Sequence, residues 1–292
     1  MISEKIWTIK RLLEWTTKYL SEKGISDSRL NAELLLCHTL KYKNRIDLYL
    51  HFDKPLRQSE LDTFKTFLKR RLSGEPIQYI VGETEFMGIK FKVDQRVLIP
   101  RPETELLVES VIDLCKKYKK SQIKILEIGT GCGNISISIA KLFPDSEIVA
   151  IESSKLALEV ADLNIRNHRL SDKIKLVFMN IFDDIPKYKN FDIIVSNPPY
   201  VSIDEYQILS DEIKNYEPKI ALTDGKDGLS YHRRIADIGR SLLNEIGWLF
   251  LEIAYNQKNA VVEILENLKY FNIEVFKDLS GNDRVVKAKW SR

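Results

Sequence analysis

The sequence contains few side chains that form disulfides or bind metals. It has 3 cysteines and 4 histidines in 292 residues. Cys37, Cys115 and Cys132 lie far apart with no C-x-x-C pair, and the histidines show no H-x-x-x-H spacing. An odd number of scattered cysteines argues against a disulfide framework and against a zinc site. We therefore expect neither disulfide bonds nor a bound metal.

Long hydrophobic runs are also absent. No uninterrupted apolar stretch approaches the roughly 18–20 residues that a membrane helix needs. The opening stretch, MISEKIWTIKRLLEW, carries charges throughout and lacks the apolar centre of a signal peptide. We expect a cytoplasmic protein with no membrane partner.

The chain has little excess of charge of either sign. Its net charge is +3 and its pI is near 8.5, which is too mild to indicate a nucleic-acid binder. The basic clusters KRR (69–71) and KKYKK (116–120) fall at the ends of predicted helices, where cations favour the helix dipole. Stable nucleic-acid binding is not expected, although contact between these clusters and an RNA-like partner is the alternative.

The first part of the chain, residues 1–75, reads as a small helical bundle. A stripe of four aliphatic residues at helical spacing predicts the first helix: Ile6, Ile9, Leu13 and Leu20. Trp7 and Trp15 flank this stripe and are interpreted as core anchors. A later helix is predicted to begin at Ser59, with Asp62 completing a weak capping box, and to stop at Gly74.

A composition change follows the helical segment. Residues 76–100 contain two short strand patterns around Met87-Gly88 and predict a β-hairpin linker. Residues 101–292 alternate strands with helices, which predicts a mostly parallel sheet of α/β class with helices on both faces. Seven strands are predicted, at 123–128, 147–151, 174–179, 191–196, 247–253, 271–276 and 284–290.

The stretch KILEIGTGCGNISISIA reads as a strand, a glycine-rich turn and the start of a helix. Gly129, Gly131 and Gly133 allow a tight turn and close approach to a ligand, but their G-x-G-x-G spacing differs from the dinucleotide fingerprint. The next predicted strand ends at Glu152, whose carboxylate can accept both hydroxyls of a ribose. Together these features indicate a nucleoside ligand.

This arrangement resembles the cofactor site of class I methyltransferases, which have a Rossmann-like sheet and use S-adenosyl-L-methionine. The resemblance implies that the loop residues Gly129 to Gly133, including Thr130 and Cys132, pass the methionine part and that Glu152 holds the ribose. The third strand ends at Asn180, where that fold usually has an aspartate for the adenine amino group. Asn180 can still accept through its side-chain oxygen, and Ile181 beside it can pack on the adenine.

The stretch NPPY follows the fourth predicted strand directly. Asn197 can offer its side-chain oxygen and Pro198 its backbone carbonyl to the two N–H groups of a planar NH₂, with Pro199 continuing the rigid turn. Tyr200 can supply a flat stacking surface. Two such acceptors aim a weakly nucleophilic nitrogen at a methyl donor and stabilise the positive charge that develops on it. The motif is therefore interpreted as a catalytic receptor for a planar NH₂ group.

The motif alone does not distinguish adenine, guanine and glutamine-amide substrates. However, IPRPETELLVE, ILEIGTGCGNISISIA, FDIIVSNPPYV and LFLEIAYNQ together resemble the bacterial peptide chain release factor glutamine methyltransferases over nearly the whole chain. The resemblance implies methyl transfer from S-adenosyl-L-methionine, leaving S-adenosyl-L-homocysteine. In that family the acceptor is the amide nitrogen (N5) of the glutamine in the Gly-Gly-Gln motif of class I release factors, and the resemblance implies the same acceptor here. It further implies that Asn197 also borders the cofactor, that residues 99–102 border the site and that the helical domain 1–75 docks the release factor.

The departures from that family are modest. Asn180 replaces the usual acid, and Ala254 and Trp248 stand where glycines are common. The alternatives are a glutamine methyltransferase acting on a large-subunit ribosomal protein, an adenine-N6 or guanine-N2 methyltransferase of nucleic acids, and a noncatalytic nucleotide-binding module. The second would carry a more basic surface or a recognition domain, and the intact NPPY argues against the third.

Overall fold

The computed structural model describes residues 6–117 and 122–291 and divides the chain into two compact units, Met1–Gly82 and Glu83–Arg292. The sequence predicted three segments, 1–75, 76–100 and 101–292, and these limits remain predictions. No helix among the described residues is long and apolar enough to cross a membrane. The same residues contain no group of three or more His, Cys, Asp or Glu side chains arranged to hold a metal ion.

The first unit is helical, with a closed core of aliphatic side chains from all its helices. Helix α1 begins after Thr8, whose side-chain oxygen accepts a hydrogen bond from the Arg11 amide. Ile6 therefore precedes the helix and is 70% exposed, so its predicted place in the core stripe was wrong. The unit's helices are α1 (Ile9–Glu22), α2 (Ser28–Leu40), α3 (Ile46–Leu50), α4 (Gln58–Leu72) and α5 (Ile77–Val81).

Trp15 does not anchor the core as predicted, because its side chain is 45% exposed. Its ring stacks on Tyr19 with centroids 5.0 Å apart and meets Trp7 edge to face at 6.1 Å. Trp7 is half-buried and packs against the core. The two tryptophans thus form an aromatic cluster at the edge of the bundle, where their large apolar area is only partly removed from water.

Helix α4 begins earlier than the capping pattern predicted. The Leu56 amide donates to the Trp7 carbonyl at 2.8 Å, and the chain stays extended to Arg57. The Glu60 carboxylate accepts a hydrogen bond from the Arg57 amide at 2.7 Å, which makes Arg57 the cap residue. The helix therefore begins at Gln58 and not at Ser59. Its end at Leu72 agrees with the predicted stop at Gly74, which has a positive φ.

The basic cluster KRR at this helix end is less solvated than predicted. Arg71 is buried and donates to the Asn31 side chain at 2.8 Å and to the Glu75 carbonyl at 3.0 Å. Arg70 donates through two nitrogens to the Glu75 carboxylate. Two of the three cations are therefore used inside the unit. The other basic cluster, KKYKK, lies outside the described residues from residue 118 onward.

The second unit opens with the predicted hairpin and continues as alternating strands and helices. Met87 and Gly88 both have positive φ values, which a two-residue hairpin turn of type I′ requires. The hairpin strands are β1 (Glu83–Phe86) and β2 (Ile89–Lys92). The sheet strands are β3 (Ile123–Ile128), β4 (Ser146–Glu152), β5 (Ile174–Phe178), β6 (Phe191–Ser196), β7 (Leu243–Glu252), β8 (Phe271–Lys277) and β9 (Asp283–Lys289).

Helices flank the sheet between most of these strands. They are α6 (Glu105–Lys117, preceded by a 3₁₀ turn at Pro102–Thr104), α7 (Asn134–Leu142), α8 (Lys155–Asn167), α9 (Ile203–Ile208), α10 (Asp211–Tyr216), α11 (Ser230–Leu242) and α12 (Lys258–Asn267); a further 3₁₀ turn lies at Lys219–Ala221. All seven predicted sheet strands are present. The buried strands β3 and β6 read as near-continuous apolar runs, as strands covered on both faces do.

The strand order is β5-β4-β3-β6-β7-β9-β8, with β9 antiparallel to both neighbours and the first five strands parallel. This is the predicted Rossmann-like sheet. From β3 the chain proceeds outward through β4 and β5, and from β6 it proceeds in the other direction through β7. The loops after β3 and β6 therefore diverge at a topological switch point, where open α/β sheets bind ligands.

Candidate functional site

The glycine loop after β3 forms a rigid turn. The amides of Gly129 and Thr130 both donate to the Ile151 carbonyl, at 2.8 and 3.1 Å, which ties the loop to the end of β4. Gly129, Gly131 and Gly133 all have positive φ values between 55° and 86°, a conformation that other residues adopt at a cost. The loop ends at Gly133, directly before α7, so the amino end of that helix faces the same region.

Glu152 closes the other side of this turn. One of its carboxylate oxygens accepts from the Gly131 amide at 3.0 Å, and the other accepts from the Ser153 and Ser154 amides at 2.8 and 2.9 Å. The carboxylate is thus fixed by three backbone donors at the carboxyl end of β4 and still has acceptor capacity for a ligand. It borders two adjacent cavities of the second unit.

The larger cavity is an open cleft with about 790 Å³ of empty space, counting the part that is open to solvent. It brings together the glycine loop and the NPPY motif, which lie more than 60 positions apart in the sequence. Pro100 and Arg101 also border it, as the resemblance implied for residues 99–102. The site residues from the sequence that line this cleft are Gly129, Thr130, Gly131, Cys132, Glu152, Asn197 and Pro199.

The smaller cavity continues from the cleft toward β5. Asn180 lies there with Ile181, Pro198 and Tyr231. The Asn180 oxygen accepts from the Phe182 amide at 3.1 Å and its Nδ2 donates to Asp183 at 2.9 Å, so the side chain closes its own turn. Ile181 is buried, and its carbonyl accepts from Arg234 at 2.7 Å. The predicted acceptor at the third strand end is therefore present, but it is partly occupied by the chain itself.

Asn197 is held by a residue that the sequence reasoning did not select. Its Nδ2 donates to the Thr104 hydroxyl oxygen at 3.0 Å. Thr104 lies in the 3₁₀ turn before α6 and is only 1% exposed. The Asn197 side-chain oxygen accepts no hydrogen bond from any other described residue, although the residue borders the cleft. The amide therefore has its donor face satisfied and its acceptor face available.

Tyr200 is anchored away from both cavities. Its hydroxyl donates to the Glu252 carboxyl at 3.2 Å, and burial together with that acid raises its pKa. Burial also raises the pKa of Glu252 to about 7, although the hydroxyl of Thr104, the charge of Arg284 and the hydroxyl of Tyr200 act in the opposite direction. The second Glu252 oxygen, Oε2, has no hydrogen-bond partner of normal geometry among the described residues. A stacking role for Tyr200 stays a prediction.

A second buried acid, Glu127, binds the glycine loop and the start of α7 through hydrogen bonds. Glu127 accepts hydrogen bonds from the hydroxyls of Thr130, at 2.7 Å, and of Ser136. Burial raises its pKa to about 7 despite those donors. Cys132 in the same loop is also buried, and burial raises the pKa of its thiol to about 12. The thiol is therefore neutral at physiological pH and unsuited to nucleophilic chemistry.

Arg101 pairs with a buried acid at the edge of the cleft. Its guanidinium pairs with Glu217, whose side chain is 2% exposed, and the second Glu217 oxygen accepts from the Ile99 amide at 3.3 Å. This pair joins the loop before α6 to the segment after α10, both of which border the cleft. It therefore shapes one wall of the cleft.

We expect Arg101→Met to lower the free energy of unfolding by about 2–3 kcal/mol, because it leaves the Glu217 carboxylate buried without its cation. The value falls below that of a fully buried pair because the Arg101 side chain is 31% exposed. Arg166→Met is the matched control, since it removes an exposed pair with Asp162 and should cost under about 0.5 kcal/mol. Urea titrations of both variants give the comparison, and equal losses would contradict the role of burial.

Three further residues of the site escaped the sequence reasoning. Thr104, Tyr231 and Glu252 were given no role from the sequence; Thr104 and Glu252 lie in the stretches IPRPETELLVE and LFLEIAYNQ, but each reaches the site only through the tertiary fold. The sequence did contain a signal for Glu252. This carboxylate ends the parallel strand β7, just as Glu152 ends β4. Thr104 had only its place within the stretch IPRPETE.

Solved structures share the fold of about 70% of this chain. A methyltransferase from Pyrococcus furiosus aligns with a TM-score of 0.51 and 21% identity, over 70% of this chain and 91% of that chain. The catalytic domain of hMettl16, solved with an RNA hairpin, aligns with a TM-score of 0.57 and 17% identity, over 70% of this chain and 76% of that chain. At these identities the likeness concerns the fold alone.

Sequence comparison covers both units. Residues 11–82 match the PrmC N-terminal domain family, and residues 103–215 match the methyltransferase small domain family. A release factor glutamine methyltransferase from Rhodopirellula baltica is 38% identical over 286 residues, which is 97% of this chain and 96% of that protein. Another from Geobacter sulfurreducens is 37% identical and covers 98% of both chains. The chain therefore belongs to the family of release factor glutamine methyltransferases.

Proposed function

We propose that this enzyme transfers a methyl group from S-adenosyl-L-methionine to the side-chain amide nitrogen (N5) of the glutamine in the Gly-Gly-Gln motif of class I release factors. The observation that carries the proposal is the Asn197 amide in a cleft beside the glycine loop. Its Nδ2 is bound to Thr104, and its oxygen has no partner within the described chain. An acceptor held in this way suits a substrate NH₂ group.

The residues of the cleft fit the methyl donor that the methyltransferase domain implies. Glu152 is held at the end of β4 with acceptor capacity left for ribose hydroxyls. The glycine turn brings backbone close to a ligand without side chains in the way, and the apolar Ile181 borders the adjoining cavity beside Asn180. When bound, S-adenosyl-L-methionine supplies an electrophilic methyl group on a sulfonium and leaves as S-adenosyl-L-homocysteine.

The chain's own residues orient the acceptor nitrogen. The Asn197 oxygen accepts one N–H of the glutamine amide, and the Pro198 carbonyl accepts the other. These two bonds hold the nitrogen in line with the methyl group, and they become stronger as positive charge develops on that nitrogen. The methylated nitrogen then gives one proton to solvent water in the open cleft and becomes the neutral N-methyl amide. Tyr200 lines neither cavity, so its predicted stacking on the amide has no support from the geometry; its hydroxyl is fixed on Glu252 and anchors the end of the NPPY turn.

The first unit is proposed to dock the release factor. Residues 11–82 match a domain family of their own, and the methyltransferase match begins only at residue 103, so the first unit is available to recognise the protein substrate. A release factor acts in translation, so we place the reaction in the cytoplasm. The mild net charge of +3 supports a protein partner and gives no reason to add a nucleic-acid one.

The proposal is tested by transfer of label from radioactive S-adenosyl-L-methionine to a purified class I release factor. We expect label on the intact factor and none on a factor whose Gly-Gly-Gln glutamine is replaced by alanine. The parallel reactions contain ribosomal proteins and RNA as substrates, because these are the targets of the alternative functions. The glutamine-less factor is the matched control, since it keeps every docking surface.

Each outcome has a separate meaning. Label on the glutamine-less factor would move the reaction to another residue. Label on ribosomal protein or RNA, with none on the release factor, would replace the proposed substrate and retain the methyltransferase. Binding of the methyl donor without any transfer would support a noncatalytic module.

A further inference from the structure

The NPPY motif is fixed from outside by side chains of other elements. Thr104 accepts the Nδ2 hydrogen of Asn197 at 3.0 Å. Glu252, at the end of β7, accepts the Tyr200 hydroxyl at 3.2 Å, and Gln257 donates to the Tyr200 carbonyl at 2.8 Å. The first of these bonds differs from the others, because it acts on the amide that meets the substrate.

An asparagine side chain has two nearly isosteric orientations. Rotation of the amide by half a turn exchanges its oxygen and its NH₂ group, and only the oxygen can accept from a substrate N–H. Nothing in a Pro-Pro turn by itself favours one orientation over the other. A buried neighbour that accepts from Nδ2 therefore decides which face the cleft receives.

We propose that Thr104 is a positioning residue that holds the Asn197 amide with its oxygen toward the substrate. The proposal rests on the proposed function only in naming the substrate group, since the orientation itself is a property of the free enzyme. The Thr104 hydroxyl is buried, and its one hydrogen bond of normal geometry among the described residues is the bond that its oxygen accepts from Nδ2 of Asn197 at 3.0 Å. Because the Thr104 oxygen accepts from the NH₂ group, the side-chain oxygen of Asn197 is left for the cleft.

The test compares Thr104→Val with Thr104→Ser. Valine keeps the shape and removes the acceptor, whereas serine keeps the acceptor. We expect Thr104→Val to lower kcat about tenfold or more, with KM for the release factor and Kd for S-adenosyl-L-methionine changed less than about threefold, and Thr104→Ser to recover most of the rate. The matched control is Thr16→Val in the first unit, which also removes a fully buried hydroxyl, but one with no hydrogen-bond partner among the described residues.

A second measurement does not depend on the substrate. The side-chain NH₂ signal of Asn197, assigned by its loss in Asn197→Asp, reports its hydrogen bond through exchange with solvent. We expect slow exchange in the wild type and in Thr104→Ser and faster exchange in Thr104→Val. Exchange in the valine variant as slow as in the wild type would overturn the proposal. Equal kcat values for the valine and serine variants would overturn it too. A wild type that labels no release factor would overturn the proposed function instead, while the exchange measurement still decides the role of Thr104.

Discussion

Asn197→Ala is expected to lower kcat for release factor methylation by about 10²–10³-fold. The variant removes one of the two acceptors proposed to hold the substrate amide, and such preorganised polar groups are worth about 3–4 kcal/mol when they face charge that develops in the transition state. The nitrogen of an amide is a weak nucleophile because its lone pair is delocalised, so the enzyme depends on orientation and charge stabilisation rather than on a strong base.

The loss should fall mainly on kcat. Asn197 borders the cleft but the structure holds the glycine loop and Glu152 through their own bonds, independently of this side chain. Binding of S-adenosyl-L-methionine, measured by calorimetry, should therefore change far less than the rate. A variant that loses cofactor affinity and rate together would show that Asn197 acts chiefly on the cofactor.

Asn197→Asp provides a graded comparison for the same position. Aspartate keeps an acceptor for the substrate but has no NH₂ group, so the hydrogen bond that Nδ2 donates to the Thr104 oxygen is lost while the acceptor remains. We expect a loss smaller than that of alanine. An aspartate variant as inactive as the alanine variant would contradict the view that the acceptor oxygen is what the reaction needs.

The sheet was predictable because its signal is local. Strands β3 and β6 are buried along nearly their whole length and read as apolar runs between turns. Met87-Gly88 indicated the hairpin, and three glycines indicated the glycine loop. These turns need positive φ values, which few residue types other than glycine adopt readily. In each case a few neighbouring residues contain the whole physical reason.

The supports of the site were not predictable in this way. Thr104 and Asn197 lie 93 positions apart, and Tyr200 and Glu252 lie 52 apart, so only the topology brings them together. Local patterns also failed where tertiary bonds overrode them. Arg71 looked like a solvated helix end, but its guanidinium is buried against Asn31. Hydrogen bonds between distant elements leave no periodic trace in a sequence.

Gly228→Ala adds only a methyl group, but we expect it to lower both the free energy of unfolding and kcat. A Cβ atom at Gly228 would lie 2.3 Å from the Tyr200 carbonyl oxygen and 2.9 Å from the Gln257 amide nitrogen. Real Cβ atoms do not approach backbone so closely, so the loop or the NPPY turn must move. Gly228 also has a φ of +78°, which adds the usual strain of a side chain in the left-handed region.

The surrounding loop has little freedom to relieve this contact. One Asp224 oxygen accepts from the amides of Lys226 and Gly228, and the other accepts from the Ser230 amide. Across the contact, Tyr200 is held through its carbonyl by Gln257. We therefore expect a loss of about 3–4 kcal/mol in the free energy of unfolding, from backbone strain together with overpacking. A displaced NPPY turn should also lower kcat by up to about 10²-fold, because small misplacements of a reacting group are that costly.

Gly225→Ala separates strain from collision. Gly225 lies in the same loop with a φ of +72°, but a Cβ atom there meets nothing within 4 Å. This variant carries only the conformational cost of about 1–2 kcal/mol and should keep the wild-type rate. Urea unfolding and methyl transfer, measured on both variants, give the comparison. If Gly228→Ala matched Gly225→Ala in both measurements, the loop would be free to move aside, and its close packing would not be what fixes the NPPY turn.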